Sequence, residues 1–407
     1  MISDYRLVAK SWQTPFVVLL GGCLISLVGF GARSSYGLYL GPMTLDLNWT
    51  RETFALAMAL QNLFWGICLP LAGILVDRYG PLWVVIGGAL IYALGTFGMT
   101  WVESSGSLYL AGGILVGTGV AFTSFSLVTA AMVRVVGVQR RSLVMGLCTA
   151  AGSLGQVLYS PITQGMISNH GWSSALVVTA VSVCLIIPLA FMLPNDPRVR
   201  DENVVHTGSV GAMREAFAHR GFLLLTAGFF VCGFHVAFIT VHLPVYVSDL
   251  GLGSMVGAIA ISLIGIFNIV GSLLSGAFGQ RFSKKCGLSS IYALRAVTLL
   301  VFLVAPKSEL TIYIFAATMG LLWLSTVPLT AGIIAQVFGI RYMATLYGFV
   351  FLSHQIGSFI GVWMGGYIYD LTGSYDLMWQ AGIILGLGAA FIHLPINEQP
   401  VPRLQAE

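Results

Sequence analysis

The chain is predicted to be an all-α integral membrane protein, with twelve transmembrane helices in two six-helix pseudo-repeats. Three observations predict this. Of its 407 residues, 57% are hydrophobic and 8% charged, against about 25% charged in a soluble globular protein. The apolar residues gather into twelve runs, each near the roughly 20 residues that cross a bilayer as a helix. The two halves of the chain echo each other at an offset near 203 residues.

The first run, 15–40, reads PFVVLLGGCLISLVGFGARSSYGLYL. It is too long for a signal-peptide core and lacks a small-residue cleavage site, so it is expected to stay as a helix. Arg33 sits about two-thirds of the way along. Arginine keeps its charge in proteins, and placing it near the centre of a membrane helix costs roughly 2.5–3.5 kcal/mol. No acid in the same run neutralises it. Arg33 is therefore expected to face an anionic solute, with Gly29 and Tyr36 a turn away on the same face. The alternative is snorkelling, since Leu40 is only about 10 Å further at 1.5 Å per residue.

Runs 52–76, 82–102, 107–133, 142–167 and 172–193 complete the first half. Gln61 and Asn62 interrupt the second run, and Gln156 and Tyr159 the fifth. Gly113 and Gly117 form G-x-x-x-G in the fourth, a pattern suited to close helix approach. The longest polar segment, Asn195–Arg220, divides the chain into an N-terminal bundle (1–194), a linker (195–220) and a C-terminal bundle (221–407).

Runs 221–247, 253–278, 288–305, 309–335, 344–368 and 376–395 form the second half. His235 and His242 are seven residues apart and share a helix face. Pro244 follows closely and frees a backbone carbonyl that is a structural partner for His242. Asn268 and Ser272 lie one turn apart in the eighth run. Arg295 stands about two turns inside the ninth, within snorkelling reach of the headgroups. Trp323 lies in the tenth run, and His354, Gln355 and Ser358 interrupt the eleventh.

The repeat is visible at several places. Gly73-Ile-Leu-Val-Asp77-Arg78-Tyr-Gly80 is echoed by Gly276-Ala-Phe-Gly-Gln280-Arg281-Phe-Ser283, Gly117 by Gly320, and Gly146 and Gly155 by Gly348 and Gly357. Such repeats build central sites that open to alternate sides of a membrane. Of the 19 basic residues, 15 fall on the side of the termini, Arg51 and Lys307 on the other, and Arg33 and Arg295 within runs. The positive-inside rule then makes both termini cytoplasmic.

Other classes find little support. The net charge of +4 is explained by this asymmetry and needs no nucleic acid. The six cysteines show no metal spacing and read as packing residues. No G-x-S-x-G, phosphate loop or His/Asp/Glu metal cluster suggests an enzyme or a cofactor. A non-transporting sensor would have no need of the polar interruptions.

Gly73–Gly80 resembles the signature loop of the major facilitator superfamily, G-x-x-x-D-R-x-G between the second and third spans. The resemblance covers nearly the whole chain and implies the major facilitator fold and a monomer. It implies that spans 1, 4, 7 and 10 line a cavity, helped by 2, 5, 8 and 11. It also implies a gating role for Asp77, Arg78 and Arg281. Within the superfamily the chain is most similar to the bacterial branch with monocarboxylate and oxalate–formate transporters. The carrying residues are Leu47-Asn48-Trp49-Thr50-Arg51, Gly80-Pro81, Arg140-Arg141 and Gly171-Trp172. That branch often has an arginine deep in span 8, where this chain has Asn268 and Ser272. Animal monocarboxylate transporters have a lysine near the place of Arg33, and oxalate-type members one near His354. The anion-binding charge is thus expected to have moved to span 1.

The resulting expectation is a small organic anion, a mono- or dicarboxylate, carried across the bacterial inner membrane by alternating access. The expected contacts are Arg33, Tyr36, His235, His242, Asn268, His354 and Gln355. A neutral or amphipathic solute is the alternative. All 15 acids lie at span ends or in loops, so proton coupling would fall to His354 or His242. Exchange or facilitated diffusion is the other course.

Overall fold

The computed structural model describes residues 12–136, 141–195, 208–339 and 343–401. Much of the expected linker lies outside these residues. So do Arg6, Lys10, Arg140, Arg198, Arg200, Arg341 and Arg403, on which the orientation partly rests. Among the described residues all regular structure is helical.

Eleven helical segments are long and apolar enough to cross a membrane. One of them, Val144–Ala190, has 47 residues, about 70 Å at 1.5 Å per residue and twice a bilayer's hydrocarbon thickness. It is broken at Gly171, whose φ of 80° and ψ of 163° are not helical. The segment is therefore spans 5 and 6, and the fold has twelve spans. Glycine alone enters this backbone region without strain.

Span 1 is an α-helix over Pro15–Ser34, then a 3-10 turn over Tyr36–Tyr39 and a short helix over Leu40–Asp46. Spans 2 and 3 are Arg51–Tyr79 and Pro81–Gly98. Span 4 contains a π-helical stretch, Tyr109–Leu115, and a break between Phe122 and Phe125. Spans 7, 8 and 9 are Arg220–Asp249, Ser254–Arg281 and Lys284–Val304. Span 10 is broken into Glu309–Leu322 and Thr326–Phe338, and spans 11 and 12 are Met343–Thr372 and Asp376–His393. With an even number of spans, Pro15 and His393 lie at one end of the bundle, here called the terminal end; the opposite end is the far end.

The repeat holds at the level of single contacts. A Cβ on Gly117 would lie 2.5 Å from the Gln61 carbonyl oxygen and 3.0 Å from Phe64 Cβ; on Gly320 it would lie 2.8 Å from the Ile264 oxygen and 2.8 Å from Phe267 Cβ. All three residues are shifted by 203. Likewise Gly155 abuts the Leu27 carbonyl, and Gly357 that of Phe230. These glycines let spans 4 and 2, 10 and 8, 5 and 1, and 11 and 7 approach backbone to backbone. Such approach supplies the dispersion contact that replaces the hydrophobic drive inside a bilayer.

The two halves meet unevenly. Between spans 5 and 8, Asn268 donates to Ser153 Oγ (2.9 Å), Gln156 to the Ile261 carbonyl (2.8 Å), Ser262 to the Val157 carbonyl (3.0 Å) and Gln164 to Ser254 Oγ (3.0 Å). These bonds run from mid-membrane to the far end. Toward the terminal end, a Cβ on any of the repeat-related glycines Gly73, Gly276, Gly146 and Gly348 would meet nothing within 4 Å. The hydrogen bonds between spans 5 and 8 thus join the halves from mid-membrane to the far end.

Candidate functional site

Arg33 is placed by the way span 1 ends. The Ser34 and Ser35 hydroxyls donate to the Gly31 and Ala32 carbonyls at 2.9 and 2.8 Å, competing with the helical ladder. The α-helix stops there and the chain tightens into Tyr36–Tyr39. Arg33 occupies the last helical turn, where the negative end of the helix dipole suits a cation. Gly37 lets span 7 close in, since a Cβ there would lie 2.9 Å from Val241 Cα.

The Arg33 guanidinium does not reach for the far end. Its Nη2 donates to Asn62 Oδ1, and Asn62 in turn donates to the Met58 carbonyl at 2.8 Å, which fixes the amide. The guanidinium lies over Trp65, 4.5 Å from the ring centroid. Trp65 touches Phe351 of the opposite half edge-on at 5.3 Å, and Phe351 stacks on His354 at 5.8 Å with 6° between planes. Next to Arg33 is a cavity of about 10 Å³, lined by Tyr36, Asn62, Gln61, Thr240 and Val241 among others, room for about one water.

This neighbourhood is rich in donors. Arg33 Nε, Trp65 Nε1 and Gln355 Nε2 are buried and have no hydrogen-bond partner among the described residues. All three are N–H groups that cannot accept. No carboxylate lies within ion-pair distance of Arg33 among the described residues. A cation and unpaired donors without acceptors form an arrangement that an anion satisfies.

The other expected contacts divide. Tyr36 borders the cavity, with its hydroxyl 2.6 Å from Thr96 Oγ1. Gln355 packs where a Cβ on Gly66 would lie, 2.9 Å from its own Cβ, and its Oε1 is 3.3 Å from His354 Nδ1. His235 and His242 turn away from Arg33 toward spans 11 and 12. His235 Nε2 is 2.8 Å from the Gly382 carbonyl. His242 holds Tyr375 Oη at 3.1 Å and the Val362 carbonyl at 2.8 Å, not the carbonyl freed by Pro244. The face of span 7 toward Arg33 carries Ala237, Thr240 and Val241 instead. Asn268 is also engaged elsewhere, donating to Ser153 and accepting from Ser272 Oγ (3.2 Å) and the Leu324 N–H (3.0 Å). Arg295, expected as a structural residue within snorkelling reach, does not reach for the headgroups: it is fully buried and donates to the Leu322 and Trp323 carbonyls at the break in span 10.

Trp65, Thr240 and Phe351 adjoin the candidate site and are not singled out by the sequence. The spacing of Trp65 from Asn62, three residues on a helix, is the available signal for the first; the other two are selected only by helix packing. Asp77, Arg78 and Arg281 are exposed at the terminal end, and the Arg78 guanidinium lies 5.2 Å from the neighbouring Tyr79 ring.

At the far end the N-terminus of span 2 sits in a cup from the other half. Arg51 pairs with both Asp249 carboxylate oxygens at 2.6 and 2.7 Å and donates to Tyr375 Oη at 3.1 Å. Its guanidinium lies 3.6 Å from the Tyr369 ring centroid. Asp370 accepts the Arg51 and Glu52 backbone N–H groups at 3.1 and 2.7 Å, as a capping carboxylate supplied across the interface. Glu52 in turn accepts from Trp363 Nε1 at 3.0 Å. Arg51→Ala is expected to favour opening at the far end by about 1–2 kcal/mol, or about 5–30-fold in population. Maleimide labelling of Thr240→Cys should then be faster with Arg51→Ala than without it; equal rates would show that Arg51 does not hold this end closed.

The sequence profile of the Major Facilitator Superfamily matches residues 22–362. The chain belongs to this superfamily. It is 26% identical to rat monocarboxylate transporter 13, over 93% of this chain and 88% of the relative. It is 24% identical to the oxalate:formate antiporter of Oxalobacter formigenes, over 98% and 93%. In fold it superposes on an inward-facing, occupied bacterial homologue of the human lysosomal transporter Spinster. That match has a TM-score of 0.78 and 13% identity, over 97% of this chain and all of that one.

Proposed function

We propose that this superfamily member is a secondary or facilitative transporter that moves a small organic anion, a mono- or dicarboxylate, by alternating access. The observation that carries this reading is the uncompensated Arg33 guanidinium among unpaired N–H donors at the junction of the halves. Arg33 binds the carboxylate, Asn62 orients the guanidinium and Trp65 supports it from below. Gln355 and His354 approach from the other half. The names of the two relatives above agree with a carboxylate cargo.

In this scheme the termini and the terminal end are cytoplasmic, and the protein is a monomer of the inner membrane. The N-terminal bundle is 1–194, the linker 195–220 and the C-terminal bundle 221–407. Opening to the outside breaks the Arg51–Asp249 pair, and Asp77, Arg78 and Arg281 then close the cytoplasmic end. We assign any coupled proton to His354, which stacks on Phe351 beside Trp65.

A thermal-shift panel of mono- and dicarboxylates with their matched neutral amides tests the reading on detergent-purified protein. A ligand that binds the folded state raises its midpoint by mass action. A carboxylate is expected to raise it and its amide to leave it unchanged. Equal shifts by both would point to a neutral or amphipathic cargo.

A further inference from the structure

The hydrogen bonds around the Arg33 cavity have fixed directions, and those directions narrow the cargo. The polar side chains lining the cavity are Arg33, Tyr36, Gln61, Asn62 and Thr240. Asn62 is engaged with the guanidinium and with the Met58 carbonyl. At Gln61, Thr240 and Tyr36 the directions follow from carbonyls, which can only accept. Gln61 Nε2 donates to the Gly112 carbonyl at 3.1 Å and lies 3.9 Å from Met58 Sδ, which leaves Oε1 as the remaining amide atom. Gly112 belongs to the π-helical stretch of span 4, and such stretches recur at functional sites. Thr240 Oγ1 donates to the Val236 carbonyl at 2.7 Å. Thr96 Oγ1 donates to the Tyr92 carbonyl at 2.9 Å, so in the 2.6 Å bond between Tyr36 and Thr96 the tyrosine is the donor. Gln61, Thr240 and Tyr36 thus have their protons committed and offer lone pairs.

A bare carboxylate satisfies Arg33 but cannot receive a hydrogen bond from these three side chains. A cargo that also carries a donor satisfies both. An ammonium is a poor choice, because it sets a second cation beside the guanidinium with one carboxylate to balance both, and a buried charge left uncompensated is costly. A hydroxyl adds no charge. The cavity, about 10 Å³, has room for a group of that size. Gln61 and Asn62 line this one small space, so the hydroxyl belongs close to the carboxylate that Arg33 binds. We infer that the cargo is a carboxylate with a hydroxyl on the adjoining carbon, and that Gln61 Oε1 and Thr240 Oγ1 select it by accepting the hydroxyl proton. This inference rests on the carboxylate reading above and adds to it a preference for a donor.

The test compares 2-hydroxypropanoate, 2-fluoropropanoate and propanoate on the detergent-purified full chain. Fluorine is close to a hydroxyl in size but has no proton to give. Affinities come from the dependence of the melting midpoint on ligand concentration. The hydroxy acid is expected to bind about fivefold to tenfold more tightly than the fluoro acid. In Gln61→Met and in Thr240→Val that ratio should fall toward one; Thr240→Val carries the test if Gln61→Met does not fold. Equal affinities in the parent, or a ratio that persists in both variants, would overturn the inference and leave the carboxylate reading standing. The same holds if none of the three binds while another carboxylate of the wider panel does. If no carboxylate in that panel shifts the midpoint, both fail.

Discussion

Arg33→Gln is expected to abolish carboxylate binding while making the unliganded protein more stable. The two effects have opposite signs because the guanidinium is costly until an anion arrives. Hydrogen bonds to charged groups contribute about 1.5–3 kcal/mol each. Removing two such bonds to a carboxylate therefore weakens binding by about 3 kcal/mol or more, over a hundredfold in Kd. Without ligand, placing the arginine inside the membrane costs roughly 2.5–3.5 kcal/mol. The bond to Asn62, about 1.5–3 kcal/mol, and the Trp65 face, about 0.5–2 kcal/mol, offset much of this, but Arg33 Nε stays buried and unpaired at a further cost of about 1–3 kcal/mol, so a net cost remains. Glutamine keeps a hydrogen-bonding group beside Asn62 without the charge. The unliganded midpoint should rise by about 2 °C or more, and the carboxylate-dependent shift should vanish. A lower midpoint with the ligand shift intact would make Arg33 a structural residue.

Much of the fold is legible in the sequence because a bilayer leaves the chain few options. Apolar runs of bilayer length must be helices, and the 203-residue echo reappears as matched contacts, Gly117 on Gln61 and Gly320 on Ile264. The polar residues of the spans are harder to place, because sequence gives the face of a helix only relative to itself. His235 and His242 do share a face, as their spacing requires, but that face meets Gly382, Val362 and Tyr375 within the second half. The face toward Arg33 carries Ala237, Thr240 and Val241, which no composition rule singles out. Asn268 stands out as a polar interruption, yet it uses its amide to join span 5 to the break in span 10. Breaks are only partly legible. Span 10 stops at Leu322 and resumes at Thr326, with Pro328 in the new first turn unable to donate to the Leu324 carbonyl. Its turn is held by side chains of spans 8 and 9, including Ser275 on the Ser325 carbonyl.

Arg295→Met should have the reverse profile, with lower stability and an intact ligand response. Both arginines lie inside spans without a carboxylate in ion-pair reach among the described residues, so the cost of placing the charge is similar. The difference lies in what each guanidinium satisfies. Arg295 Nε and Nη2 donate to the Leu322 carbonyl at 3.1 and 2.7 Å, and Nη2 also to that of Trp323. These carbonyls end the first half of span 10, where the helical ladder stops. Methionine fills a similar volume but leaves two buried acceptors unpaired, at about 1–3 kcal/mol each, besides removing the charge-assisted bonds. After subtracting the relief of the buried charge, the net destabilisation is expected to be about 2–3 kcal/mol. The midpoint should fall by several degrees, and Arg295→Lys should restore part of it, because an ammonium reaches one carbonyl but cannot fork across two. Neither Leu322 nor Trp323 lines the cavity beside Arg33, so a carboxylate should still raise the midpoint of Arg295→Met by as much as it raises that of the parent. Disappearance of that shift in a folded Arg295→Met protein would mean that the break in span 10 shapes the anion site itself, and that the two guanidinia act on one ligand.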